Sequence, residues 1–574
     1  MASKSIFYVE DDSKYEQWVK EFDVIQNKEI EFLEQKLRDL TVLPLITIVP
    51  VAVGPVSRRE LSALKNSLDA QVYPNWRIYS SNSGDVCDLS VLHCDSGLSP
   101  DFVAEMTRAP GFILPLPCDA ILRPHALATF ILALTEVPDA DILYSDEDIL
   151  RNGRRSRPHF KTDWDPYLIL GNNYIGVPVL YRTQAIQRAD IGDLKSGTVD
   201  NLLHAIALRL SAVTAANKIL HIPSILCHRT KETDWCGEEA RKIVSAHLMQ
   251  ESPSAVEISP APLAPQFNKV KFPLPNPPPL VSIIVPTRDR CELIEPCVSG
   301  ILHNTDYPAL ELIVVDNGTT APDALAVLEA VKGNRRVRIL RDDRPFNFSQ
   351  LNNLGASAAK GEILILLNND TEVLHADWVT ELASLASRPD IGAVGSKLLY
   401  PDLRVQHAGV IFGPDKSILH QMRFAQRHET GPGGELALLR CTSALTGACL
   451  AVRKELFVDV GGLNENRLRV VYNDVDLCRR IAARGLAIVW TPFAELLHRE
   501  SVSRGLTVAL AKVDQEASEL LAFWSMNPEF YEHPDPFHNP QIEFHPDCVD
   551  FACPPRQHRF RIELSERRPI PFFY

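Results

Sequence analysis

The chain has 574 residues, more than one hydrophobic core ordinarily supports, so two or more domains are expected. Lys+Arg 59 against Asp+Glu 73 gives a formal net charge of -14, spread along the chain. That balance excludes a basic nucleic-acid footprint but leaves room for small anionic ligands held by local donors and a metal. The twelve cysteines include no Cys-x-x-Cys pair, which argues against a structural zinc and for reduced, cytosolic thiols.

The N-terminus has no apolar signal core. The apolar stretch 43–56 is too short for a membrane span and holds three prolines. A cytoplasmic protein is therefore expected. Residues 1–43 read as a helical segment in which charges alternate with Trp18, Phe22, Ile25, Ile30, Phe32 and Leu33. Its mixed charge favours packing on the protein, with peripheral association at the inner face of a membrane as the alternative.

Pro44-Leu45-Ile46-Thr47-Ile48-Val49-Pro50 opens a first half, 44–250, with an apolar strand. Residues 251–279 turn proline-rich and read as a stiff interdomain linker. Pro279-Leu280-Val281-Ser282-Ile283-Ile284-Val285-Pro286 then opens a second half, 280–510, in the same way. The parallel continues: residues 67–78 and 299–313 each read as a helix end, a Tyr-Pro turn and a new strand. His221-Ile222-Pro223 through His228 also echoes Trp490-Thr491-Pro492 through His498. Duplication explains these echoes economically.

In the second half, the strand Leu310 to Val315 ends in Asp316-Asn317-Gly318, either a ribose-binding carboxylate or an Asn-Gly turn. Residues 347–359 read as a helix. The run Ile363 to Leu367 reads as a strand buried on both faces in the middle of a parallel sheet, stopping at Asn368-Asn369-Asp370. Ligands in open α/β sheets bind at the carboxyl ends of strands, where a carboxylate suits Mg²⁺ or Mn²⁺ carried on phosphate oxygens. An ordinary strand-to-turn transition is the bland alternative. Asn473 reads as an N-cap, which places Asp474 in a first helical turn. There it is either a dipole-stabilising residue or a general base aimed at a hydroxyl. A tail, 511–574, begins helical and ends rich in proline, His and aromatics, including Asp535-Pro536-Phe537-His538-Asn539-Pro540; it is expected to pack across the second half.

Taken in order, Val281 to Pro286, Val315-Asp316-Asn317-Gly318, Leu367-Asn368-Asn369-Asp370, Thr446-Gly447-Ala448-Cys449, Gly461-Gly462-Leu463-Asn464-Glu465 and Asn473-Asp474-Val475-Asp476-Leu477 resemble family 2 glycosyltransferases of the GT-A fold. The ending His498-Arg499-Glu500-Ser501-Val502-Ser503-Arg504-Gly505 is similar to the bacterial O-antigen and polysaccharide branch. The resemblance implies an α/β protein of two tandem GT-A (Rossmann-like, nucleotide-diphospho-sugar transferase) domains, with an N-terminal helical segment and a C-terminal extension. It implies an inverting, metal-dependent hexosyltransferase. The partners would be a nucleotide-diphosphate sugar donor and a saccharide or lipid-linked saccharide acceptor.

Carried over residue by residue, it implies nucleotide contacts at Pro286, Thr287, Asp316, Asn353 and Asn369, and a divalent metal at Asp370 and His498. Arg504 becomes a diphosphate contact and Asp474 the catalytic base. Asn368 stands where the family has the first Asp of Asp-x-Asp, which leaves one carboxylate instead of two. In the first half the resemblance marks remnants at Asp119, Asp146, Asp148, Asp200 and His228, with His228 matched to His498. Ser80-Ser81-Asn82-Ser83-Gly84 lacks the nucleotide carboxylate, and Pro115 and Pro117 disfavour a central strand. The acidic run Ser145-Asp146-Glu147-Asp148 binds metal or forms a solvated loop. The first half is thus expected to be degenerate. Two other functions remain open: a noncatalytic carbohydrate-binding or scaffold protein, and a sugar-nucleotide nucleotidyltransferase. Pro286-Thr287-Arg288-Asp289-Arg290 lacks the glycines the latter needs.

Overall fold

The computed structural model describes residues 12–79, 91–93, 98, 100–192, 194–233, 235–251, 256–413, 416–499, 510–528, 534–545 and 549–556. Arg504, the 80–84 segment and the end of the tail lie outside the described residues. Two mixed β-sheets dominate the rest. In the first, the order is Trp76–Ile78, Ile46–Ala52, Phe112–Pro117, Val179–Arg182, Ile142–Arg151, Ile219–Arg229, Ala120–Leu122. In the second it is Val337–Arg341, Leu310–Asp316, Val281–Thr287, Ile363–Leu367, Cys449–Arg453, Ile391–Leu399, Ala487–His498, Thr371–Val373. Apart from the added edge strand Val337–Arg341, the two sheets share one order. They also share directions: in each, the third shared strand pairs antiparallel with the fourth, and the last with its neighbour.

The opening strands Ile46–Ala52 and Val281–Thr287 are buried along their whole length, as their aliphatic runs require. Ile363–Leu367 is likewise buried throughout, but its sheet is mixed rather than parallel. It runs parallel to Val281–Thr287 and antiparallel to Cys449–Arg453.

Pro115 and Pro117 do sit in a central strand, against expectation. The amides of Phe112 and Cys118 point to the Ile46–Ala52 side. The odd-numbered prolines therefore turn their missing N–H toward Val179–Arg182, whose pairing ends at Ile113. The bond that proline cannot make is not required there.

The linker expectation also needs correction. Residues Glu257–Ala261 and Ala264–Lys271 form an antiparallel hairpin rather than an extended spacer. The halves are not strung apart either. Tyr167 donates to Asp390 at 2.5 Å, the backbone N–H of Cys441 donates to Asp165 at 2.8 Å, and Asn172 donates to the Gly433 carbonyl at 2.6 Å. One buried apolar cluster includes residues of both.

The tail bridges the halves instead of covering the second alone. Asp535 accepts from the Phe412 amide at 2.8 Å, while Asn539 donates to Asp146 at 3.0 Å and Gln541 to the Pro223 carbonyl at 2.8 Å. The helical N-terminal segment, Asp12–Trp18 and Asn27–Arg38, docks on the first half and the tail. Trp18 donates to the Ala552 carbonyl at 3.0 Å, and Phe551 packs on Tyr15 and Trp18. No helix among the described residues is long and apolar enough to cross a membrane.

The docking is polar at one point: buried Asp23 bonds both Arg123 and Arg155 at 2.6 Å. Removing one partner of a buried ion pair strands the other charge, at about 3–5 kcal/mol. Asp23→Ala is expected to lower the urea midpoint accordingly. Lys14→Ala, at an exposed pair with Asp550, should cost under ~1 kcal/mol. Equal midpoints for the two variants would remove Asp23 as the anchor.

Candidate functional site

The carboxyl ends of the second sheet open into a cleft of ≈ 670 Å³. Its walls bring together Pro286, Thr287, Asn369, Asp370, Asp474 and His498, residues spread over more than two hundred positions of sequence. The chain reverses after Ile363–Leu367, and the short strand Thr371–Val373 pairs antiparallel with Ala487–His498, Thr371 opposite His498. This pairing carries the imidazole to the acidic tip: His498 Nε2 lies 3.1 Å from Asp370 Oδ1 and 3.3 Å from Asn368 Nδ2. Asn369 donates to the Thr287 hydroxyl at 3.0 Å and ties the tip to the first strand.

The far side of His498 fixes its chemistry. Gln406 donates through Nε2 to the His498 carbonyl at 3.3 Å, so its Oε1 faces His498 Nδ1 at 2.6 Å and accepts the Nδ1–H. In the neutral ring, Nε2 then turns a lone pair toward the Asp370 carboxylate. Asn368 Nδ2 and the Asp370 carboxylate both face that nitrogen, and an outer hydrogen bond to the remote ring nitrogen is usual for a metal-binding histidine. Asp370 and His498 thus fit a divalent ion whose other ligands come from a diphosphate and water. Among the described residues no group of three or more His, Cys, Asp or Glu holds a metal by itself.

Asp474 lies at the second position of the helix Asn473–Ala482. Asn473 is not the N-cap. That place is taken by Tyr472, in the left-handed region at φ 59° with no side-chain cap. Such a conformation is sparsely populated for a bulky residue and persists only where the surroundings enforce it. The Asp474 carboxylate accepts from the Gly447 amide at 2.6 Å and the Val475 amide at 2.8 Å, which orients it on the cleft wall.

Two expected nucleotide contacts are placed differently. Asp316 is the register partner of Thr287, but its buried carboxylate is engaged by the Thr319 amide at 2.8 Å and Arg341 at 2.6 Å. A ribose must compete with Arg341 for it. Asn353 is a correction: it is not on the cleft. Its amide clamps the 460–466 loop, donating to the Leu463 carbonyl and Glu465 and accepting from the Leu463 amide at 2.9 Å.

The first-half remnants are all buried and paired. Asp148 bonds His228 at 2.5 Å and Arg155 and Tyr15 at 2.6 Å. Burial alone would raise its pKa, but His228 and Arg155 outweigh burial and hold it below the usual carboxylate range. Asp146 accepts from the Lys161 amide at 2.9 Å, faces His221 at 2.9 Å and takes Asn539. The acidic run is therefore neither a metal centre nor a solvated loop; it is a strand sealed by basic partners and the tail. His228 is also not the counterpart of His498. Ala120 pairs with Arg229 as Thr371 pairs with His498, so the counterpart is Arg229. Arg229 bonds both Asp119 and Asp200.

The profile of glycosyl transferase family 2 matches residues 282–444. The chain is 34% identical over 543 residues to the uncharacterised protein y4gI of Sinorhizobium fredii, covering 89% of this chain and 59% of that one. It is 37% identical over 542 residues to the O-antigen biosynthesis protein RfbC of Myxococcus xanthus, covering 89% of this chain and 41% of that one. An N-acetylglucosaminyl-diphospho-decaprenol L-rhamnosyltransferase of Mycobacterium tuberculosis is 28% identical over 239 residues, 37% of this chain and 73% of that one. The chain thus spans about half the length of the first two relatives.

Sequence reasoning assigned no role to Gln406, to Gly447 within its Thr446-Gly447-Ala448-Cys449 motif, or to the cleft-lining Arg288 and Arg290. Arg288 and Arg290 had a signal, standing beside Pro286-Thr287; Gln406 and Gly447 act only through partners distant in sequence. Gln406→Leu is expected to release the His498 tautomer. Nitrogen NMR of the labelled ring should read Nδ1–H in the parent chain and a mixture in the variant; an unchanged ring would show that Gln406 does not set it.

Proposed function

We propose that this chain, whose residues 282–444 match the glycosyl transferase family 2 profile, moves a sugar from a nucleotide-diphosphate donor to a hydroxyl of a saccharide acceptor. The setting would be O-antigen-like cell-surface polysaccharide synthesis, with a free or lipid-linked saccharide as acceptor and peripheral membrane association in the latter case. The observation that carries the reading is a single cleft lined by both the Asp370–His498 pair and Asp474. The likeness to an O-antigen biosynthesis protein supports the pathway. We take 44–250 and 280–510 as two GT-A-type domains on their shared strand order.

The chemistry follows from charge. Breaking the sugar–phosphate bond puts positive charge on the anomeric carbon and negative charge on the departing diphosphate. Pro286, Thr287 and Asn369 position the nucleotide end, with Asp316 recruited from Arg341, and Arg288 and Arg290 face the diphosphate. Asp370 and His498 would hold a Mg²⁺ or Mn²⁺ ion, which when bound would supply Lewis-acid stabilisation of the leaving group. Asp474, oriented by the Gly447 amide, takes the proton from the acceptor hydroxyl as the new bond forms on the face opposite the leaving group. One displacement inverts the anomeric centre, and positioning supplies much of the rate.

Asp474→Asn is expected to slow transfer by ~10²–10⁴-fold, the range of a lost general base, while nucleotide-sugar affinity by calorimetry stays near the parent value. Wild-type turnover by that variant would sink the assignment. Asp370→Ala should abolish the gain in donor affinity that Mn²⁺ gives the parent chain; an undiminished Mn²⁺ effect contradicts the metal role.

A further inference from the structure

The first half keeps more of the site than its sequence suggests. Asp119 precedes Ala120–Leu122 as Asp370 precedes Thr371–Val373. Asp200 is the second residue of the helix Val199–Ser211 as Asp474 is of Asn473–Ala482. Arg229 ends its long strand in the register of His498, and each follows its proline, Pro223 or Pro492, by six residues. Both carboxylates are therefore present, and what differs is the cation between them. Arg229 donates from Nε and Nη2 to the two oxygens of Asp119 at 2.9 and 3.0 Å, and from Nη1 to Asp200 at 3.0 Å. The three residues are 6%, 9% and 4% exposed.

A planar guanidinium bridging two buried carboxylates is a fixed positive charge. Burial opposes that charge, but Asp200 and Asp119 more than offset it and raise the arginine's pKa. The Lys231 amide adds a further donor to Asp119 at 3.2 Å.

We infer that Asp119, Asp200 and position 229 form a latent divalent-cation site, held shut because the Arg229 guanidinium stands where the cation would. The inference takes the cation's place from the Asp370–His498 reading and so rests on it. It replaces a missing-carboxylate explanation of the first half with a substituted-cation one. A histidine at 229 would set the carboxylate–imidazole pair of the second half in the first, with Asp200 still beside it.

The test titrates Mn²⁺ alone into the full chain and reads bound metal by electron paramagnetic resonance. With the second half silenced by Asp370→Ala, the chain is expected to bind no Mn²⁺. Adding Arg229→His should gain one Mn²⁺ per chain, and adding Asp119→Asn should remove it again. Arg229→Gln, read in the same background, covers the case in which the histidine variant does not fold. Arg229→Lys keeps the charge and should gain nothing. The inference is overturned if the Asp370→Ala chain already binds Mn²⁺ that Asp119→Asn abolishes, because the site is then open. It is equally overturned if a folded Arg229→His or Arg229→Gln chain, judged by circular dichroism and unfolding midpoint, gains no metal. A failure of the second-half reading shows separately, as a gain in nucleotide-sugar affinity on adding Mn²⁺ that is equal in the parent and Asp370→Ala chains.

Discussion

A carboxylate buried at the end of a β-strand must be answered by a positive charge or by donors, because an unpaired buried charge is too costly to keep. The molecule meets this constraint at equivalent positions of its two sheets. At Asp119 the answer is internal, a guanidinium from the neighbouring long strand. At Asp370 the same register delivers an imidazole, which carries no fixed charge, and the position opens on a cleft. The difference between one residue type and another at the end of equivalent strands separates a sealed position from one that lines an open cleft. On the proposed reading, a metal chelated by a nucleoside diphosphate would enter at that open position.

The sealed half carries its own structural weight. Its Asp165 accepts from the Cys441 backbone and its Asn172 reaches the Gly433 carbonyl, so the segment before Cys449–Arg453 is held from outside its own sheet. The tail crosses the same seam, with Asp535 on the Phe412 amide and Asn539 on Asp146. Buried polar contacts of this kind fix a relative geometry more stringently than apolar packing, since each misplacement leaves a group unsatisfied. The hairpin carrying Phe412 also carries His420 on the cleft wall, so the tail braces the open site.

Much of this was legible in the sequence because it is local. Five aliphatics ending in Asn-Asn-Asp do form a strand with an acidic tip, and the repeated strand–turn pattern does correspond to two sheets of one order. What was misread depends on partners far away in the chain. Asn353 looked like a ligand contact because nothing nearby revealed that Leu463 and Glu465 use its amide. His228 was matched to His498 by its sequence context, whereas strand register selects Arg229. Register is fixed by pairing with Ala120 and Thr371, about a hundred positions or more upstream, and a one-residue slip exchanges the faces of a strand. The prolines at 115 and 117 misled because proline is tolerated wherever its missing donor has no acceptor to meet. The acidic run Asp146 to Asp148 misled because its partners, Arg155, His221, His228 and Asn539, come from other elements.

The account depends on the open cleft cleaving the sugar–phosphate bond of its donor. Incubating the full chain with a panel of nucleotide sugars and Mn²⁺, and identifying the released nucleotide by chromatography, tests this directly. Slow release of nucleoside diphosphate from one or a few donors, abolished by chelation, is the expected result. Pyrophosphate release would point instead to a nucleotidyltransferase, and silence across the panel, with and without saccharide acceptors, to a binding protein; either contradicts the assignment.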